Sequence, residues 1–142
     1  MPVELNHTIV QARDKEATAR HLTTLFDLPE HTTYGPFAVV LLANGVSLDV
    51  ADDHGAIHPQ HYAFLVTEEE FDAIHGRIVA SGLTYWADPF HRQENVVNRN
   101  DGGRGLYCRR SRPTSPPSSS TSPSTPTSGW SWPPTPRATS GR

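Results

Sequence analysis

The chain has 142 residues, 35% apolar and 8% aromatic, which is one domain's worth of sequence and too little for a multidomain machine. A formal charge of -3 removes the basic footprint that nucleic-acid binding needs, and no window approaches the roughly 18 apolar residues of a membrane span. Met1 leads into a polar strand and not into a basic then apolar leader, so the expectation is a cytoplasmic protein with neither nucleic acid nor membrane as a partner.

Two composition zones divide the chain. Residues 111–142 hold 10 Ser, 8 Pro and 6 Thr, no acidic residue, and only Trp130 and Trp132 as large apolar groups. Such a stretch cannot bury a core, and its prolines deny ladder and helix hydrogen bonds, so it is expected to be a disordered Pro/Ser/Thr-rich tail. Residues 1–110 form the folded domain and carry a net charge of -6. Cys108 stands alone and can close no internal disulfide, so stability must come from packing.

In chain order, Val3 to Val10 alternates Val3, Leu5, His7 and Ile9 against Glu4, Asn6 and Thr8, the period of a strand. Asp14 caps a predicted helix over 15–27 whose Ala19, Leu22, Leu25 and Phe26 share a face and which Leu28-Pro29 ends. After His31 to Tyr34, Phe37–Leu42 and Val46–Val50 flank Asn44-Gly45, which predicts a hairpin with a two-residue left-handed turn. Gln60 to Val66 is a second predicted strand. Thr67 and Glu70 then make a capping box for a helix over 68–81, with Phe71, Ile74 and Ile78 as its buried stripe and Gly82 as its stop. Leu83–Ala87 and Gly105–Arg109 follow as strands.

Laid one above the other, Asn6-His7-Thr8-Ile9 matches Gln60-His61-Tyr62-Ala63 at an offset of 54 residues. A β-α-β-β-β unit used twice explains this economically, since one unit leaves an open sheet face that a second must complete. The predicted class is α+β with tandem βαβββ modules. The segments Leu5-Asn6-His7-Thr8-Ile9-Val10, Leu48-Asp49, His61-Tyr62-Ala63-Phe64-Leu65-Val66 and Asp101-Gly102-Gly103-Arg104-Gly105, in this order and spacing, resemble the vicinal oxygen chelate superfamily of glyoxalases, extradiol dioxygenases and bleomycin-resistance proteins.

That resemblance implies paired βαβββ modules around a cavity, often completed in a homodimer. It also implies a metal site built from a histidine on the first strand of each module and a glutamate on the last strand. His7 and His61 fall at the two histidine positions, and Asp49 at a carboxylate position that some members add. Two imidazoles and a carboxylate facing one cavity would hold a divalent Fe, Mn, Ni or Zn and leave positions open for two adjacent oxygens of a small-molecule substrate. If so, His7 and His61 should meet across the cavity with Asp49 nearby.

The chain departs from the family at its end. Members continue into an acidic turn and a last strand bearing the glutamate, whereas here Cys108-Arg109-Arg110-Ser111-Arg112 follows and no acidic residue occurs after Asp101. The second module is thus expected to lack its last strand and the site its third ligand. A one-base shift in reading frame would account for this: CGA-AGA-TCC-CGA for Arg109 to Arg112, read one base later with a following C, encodes Glu-Asp-Pro-Asp.

Other clusters have plainer readings. His54 and His58 lie in a polar connection before His61, and Glu68, Glu69 and Glu70 sit in a first helical turn where the helix dipole favours them. His21, His31, His75 and His91 read as surface or structural residues, and Trp86 as core. Arg104 is expected to pair with an acidic neighbour, because the glycine-rich segment around it lacks the lysine and hydroxyl of a phosphate loop. Two functional classes remain. One is a metal-dependent enzyme, either a glyoxalase-like lyase or an extradiol-type dioxygenase, that stabilises an enediolate or activates dioxygen. The other is a metal-free protein that sequesters a small molecule, with an inactive frameshifted product as the limiting case.

Overall fold

The computed structural model describes residues 2–109 and 129–131, which divide into two units at Ile57/His58. In the first unit, β1 (His7–Ala12), α1 (Lys15–Phe26), β2 (Thr32–Tyr34), β3 (Phe37–Leu41) and β4 (Ser47–Asp52) form one complete βαβββ module. Its sheet has the order β1-β4-β3-β2, with β1 and β4 parallel and the other neighbours antiparallel.

Alternation along these strands sorts the two faces of the sheet. Ala38, Val50 and Val10 align across β3, β4 and β1 and are buried, as are Val40 and Leu48 in the next row. Against them lies α1, which contributes Ala19, Leu22 and Leu25 at helical spacing. Asp14 caps α1 by accepting from the Ala17 N–H at 2.9 Å, and Asp27 closes it in a left-handed conformation with φ 52°. The ladder of β1 begins at His7, later than the sequence pattern suggests, because its partner β4 begins at Ser47, the register mate of His7. The expected hairpin is present with a different loop. The Gly45 N–H bonds the Leu42 carbonyl at 3.0 Å and the Leu42 N–H bonds the Val46 carbonyl at 2.9 Å, so Ala43, Asn44 and Gly45 all belong to the loop. Only Gly45 takes a positive φ, 83°, while Asn44 uses its side chain to accept from the Val46 N–H.

The second unit contains α2 (Glu68–Ala80), β5 (Tyr85–Trp86), a 3-10 turn at Asn100–Gly102, β6 (Tyr107–Arg109) and β7 (Gly129–Ser131). The capping box at Thr67 is formed as expected: Glu70 N–H bonds the Thr67 hydroxyl oxygen at 3.2 Å, and Thr67 N–H bonds the Glu70 carboxylate at 2.8 Å. These bonds hold the Glu70 carboxyl below its ordinary value, led by the Thr67 backbone N–H. The box therefore stabilises the fold above the ordinary carboxylate range, and its contribution is lost as pH falls through the lowered pKa. Thr67→Ala should cost about 1 kcal/mol in denaturant unfolding near neutral pH. It should leave most of this acid dependence in place, because the Thr67 backbone N–H that leads it survives the substitution and only the hydroxyl contribution is lost. At the other end, Gly82 at φ 69° allows Leu83 N–H to reach the Ile78 carbonyl and Gly82 N–H the Val79 carbonyl.

Strands β5, β6 and β7 pair antiparallel in that order, repeating the arrangement of β2, β3 and β4 in the first unit. The three residues of β7 come from the segment expected to be disordered. They contain no proline, so each can join the ladder beside β6, and they occupy only three residues of the place where the first module has the six-residue β4. The rest of that segment, including Arg110 to Arg112, lies outside the described residues.

Gln60–Val66 is not a strand, contrary to the sequence pattern, although its exposure alternates like that of β1, with Tyr62, Phe64 and Val66 the more buried side chains. In the first unit β1 has a single ladder neighbour, the module's last strand. The second module has no last strand of matching length among the described residues, so the ladder that would define a strand there is not formed.

Candidate functional site

His7 and Asp49 come together on one face of the first unit's sheet. His7 aligns with Ser47 on β4, and Ile9 with Asp49, so the two side chains stand one alternation apart on adjacent parallel strands, roughly 7 Å along the strand direction. This is the face opposite α1. Beside them it carries Ile9 and Leu41, each about half exposed at 53% and 54%. The apolar residues Val10, Leu48 and Val50 turn the other way, as their spacing requires.

Both side chains are oriented by a neighbour. The Asn6 carboxamide oxygen lies 2.7 Å from Nδ1 of His7, and the Ser47 hydroxyl donates to Oδ1 of Asp49 at 2.8 Å. Sequence reasoning missed both partners, placing Asn6 on the polar face opposite His7 and giving Ser47 no role. His61 belongs to the second unit, where it is exposed and its ring meets Tyr107 edge-on at 6.0 Å between centroids. Burial pushes the neighbouring Tyr62 phenol above its ordinary pKa.

Imidazole nitrogen and carboxylate oxygen are donors suited to first-row divalent ions, and the face that carries His7 and Asp49 is open to a ligand. Within either unit, no three His, Cys, Asp or Glu side chains among the described residues gather as a metal-binding group.

The remaining clusters take structural roles. Arg104 donates through Nε to Glu68 at 2.6 Å and through an η nitrogen to Asp72 at 2.6 Å, with its guanidinium 4.5 Å from the centre of the Phe71 ring. Glu68 and Asp72 are one helical turn apart, so Arg104 ties the glycine-rich segment to α2. The hydrogen bond from Arg104 holds the Asp72 carboxyl below its ordinary pKa. Arg104→Gln should return that value toward the ordinary range in an NMR titration and lower the melting temperature by a few degrees. Asp88 organises the following loop by accepting from the N–H groups of Phe90, Arg92 and Gln93. Burial alone would raise its pKa, but these bonds together outweigh it and the value falls. The His91 ring lies tilted at 45° against Trp86, 4.1 Å between centroids, and its pKa is lowered chiefly by burial and then by Arg109. His31 pairs with Glu16 at 2.7 Å, and His75 meets Tyr85 edge-on at 4.9 Å. Cys108 is buried within β6.

The fold and the sequence together define the class: the chain belongs to the vicinal oxygen chelate superfamily. It is 47% identical to a solved structure titled Oxidase ChaP-H2, covering 99% of this chain and all of that one with a TM-score of 0.82. It is 53% identical to Oxidase ChaP-H1 over 76% of this chain and 87% of the other, with a TM-score of 0.74. The manganese(II) and sulfate complex of the fosfomycin resistance protein FosX from Listeria monocytogenes shares the fold at 18% identity, covering 97% and 94% of the two chains with a TM-score of 0.63. No protein-family model matches the chain, and no curated protein sequence matches it.

Proposed function

We propose that this chain is an oxidase of the vicinal oxygen chelate class, acting on a small molecule with two adjacent oxygens. The observation that carries the reading is the 47% identity to Oxidase ChaP-H2 over 99% of the chain. His7 and Asp49 would offer a divalent ion, Fe, Mn, Ni or Zn, an imidazole and a carboxylate donor, and His61 is the second imidazole that the family resemblance implies. A divalent ion bound there supplies Lewis acidity to the two substrate oxygens. Asn6 and Ser47 fix the directions of His7 and Asp49, while Ile9 and Leu41 give the ligand an apolar surface on the same face. A second copy of the chain completes the cavity in a homodimer, which sedimentation would read as twice the chain mass.

Calorimetric titration of the purified full chain with Mn(II) tests the metal site. The expected result is saturable binding that weakens at least about tenfold, equivalent to about 1.4 kcal/mol, in each of His7→Ala, His61→Ala and Asp49→Ala. Binding indifferent to both histidines would remove the metalloenzyme reading and leave the metal-free binding protein.

A further inference from the structure

We infer that Asn6 is a positioning residue that sets the tautomer of His7 and aims its Nε2 at the ligand-binding face. This rests on the metal site proposed above but is tested separately from it. Oδ1 of Asn6 lies 2.7 Å from Nδ1 of His7. A carboxamide oxygen can only accept, so the hydrogen of a neutral His7 ring is on Nδ1 and the lone pair on Nε2. That is the form in which an imidazole can donate to a metal through Nε2, with its other nitrogen fixed by a hydrogen bond from outside the coordination sphere.

The backbone makes this contact available. The Asn6 carbonyl accepts from the Ser47 N–H at 3.1 Å, which pins residue 6 at the start of β1, directly before the register pair His7 and Ser47. Ser47 in turn orients Asp49. One end of the β1/β4 ladder therefore holds two candidate donors, each with its own orienting side chain. The Asn6 carboxamide is exposed and forms no part of the core, so its replacement should leave folding intact, while its backbone bond to Ser47 survives any substitution.

The experiment is a long-range proton–nitrogen NMR correlation of the histidine rings in the metal-free full chain at pH 8, with the His7 signals assigned by their disappearance in His7→Ala. Wild type should show His7 with hydrogen on Nδ1. Asn6→Ala should shift the population toward hydrogen on Nε2, and Asn6→Asp, which keeps an acceptor oxygen, should retain the wild-type pattern. A wild-type ring with hydrogen on Nε2, or a pattern that Asn6→Ala leaves unchanged, overturns the inference. A parallel Mn(II) titration should show about 10- to 100-fold weaker binding in Asn6→Ala, recovered in Asn6→Asp, with an unchanged melting temperature. If His7→Ala weakens binding and Asn6→Ala does not, the positioning role is overturned while the metal site stands. If His7→Ala binds as wild type, the metal site fails, and the NMR result alone decides the role of Asn6.

Discussion

Phe71→Ala should remove about 3–5 kcal/mol of unfolding free energy, the largest loss expected from a single substitution in this chain. Among the described residues Phe71 is the largest fully buried side chain, at 2% exposure, and it stands in the first turns of α2 beside Ile74, which is also buried. Its ring receives the Arg104 guanidinium on one face and lies 6.1 Å from the His75 ring. Truncation therefore leaves a cavity and also strips the surface on which Arg104 rests, so the tie from Arg104 to Glu68 and Asp72 loosens as well. Single domains have only about 5–15 kcal/mol in total, so the variant should be largely unfolded at temperatures where wild type is folded. Urea unfolding followed by circular dichroism reads this directly. A loss below 1 kcal/mol would mean that the ring is not packed as described. Phe71→Leu, which keeps most of the volume, should recover the greater part.

The features legible in the sequence are those set by nearest neighbours along the chain. Asp14, Thr67 with Glu70, and Gly82 announce helix ends because each satisfies or frees backbone groups within one turn of itself. The faces of the first sheet were only partly readable. On β4 the apolar Leu48 and Val50 turn to the core and Asp49 away from it, whereas in the β1 segment the apolar set Leu5 and Ile9 lies exposed and Val10 and Ala12 carry the core. It is the β1/β4 register that puts Asp49 on the face of His7. The hairpin loop was misjudged because Asn-Gly suits a two-residue turn only if Asn also turns left-handed, and here Gly45 alone does so. What failed outright was non-local. A strand exists only beside a neighbour, so Gln60–Val66 has the pattern without the ladder, while Gly129–Ser131 joins one despite a composition poor in strand formers, because β6 offers an edge. For Arg104, an acidic partner was foreseeable, but its identity as Glu68 and Asp72, 36 and 32 residues away, depends on how α2 packs. The Asn6–His7 contact escaped because neighbours on a strand ordinarily face opposite ways, and Asn6 sits just before β1 begins.

A chain continued in the shifted reading frame, with Glu-Asp-Pro-Asp in place of Arg109 to Arg112, should be more stable and bind a divalent ion more tightly than the chain described. Both gains have one cause. In the first module the last strand, β4, is the neighbour of both β1 and β3, and its Asp49 stands on the same face as His7. In the second module β7 holds that place with three residues, and the segment that matches β1 forms no strand. A full-length last strand would let Gln60–Val66 pair as β1 does, covering an edge and fixing the backbone that carries His61. It would also bring the charged oxygen ligand that the family resemblance implies, and a carboxylate neutralises part of the ion's charge where two imidazoles do not. The melting temperature should rise by about 4–8 °C for each 1 kcal/mol gained, and Mn(II) affinity by at least about tenfold. His61→Ala should then cost more affinity in the shifted frame than in the present one, because a paired strand would fix the backbone that carries that ring. If the two frames melt together and bind Mn(II) alike, the last strand is not what the second module lacks, and β7 suffices in its stead. Sequencing the gene across codons 106 to 115 would show directly which frame is encoded.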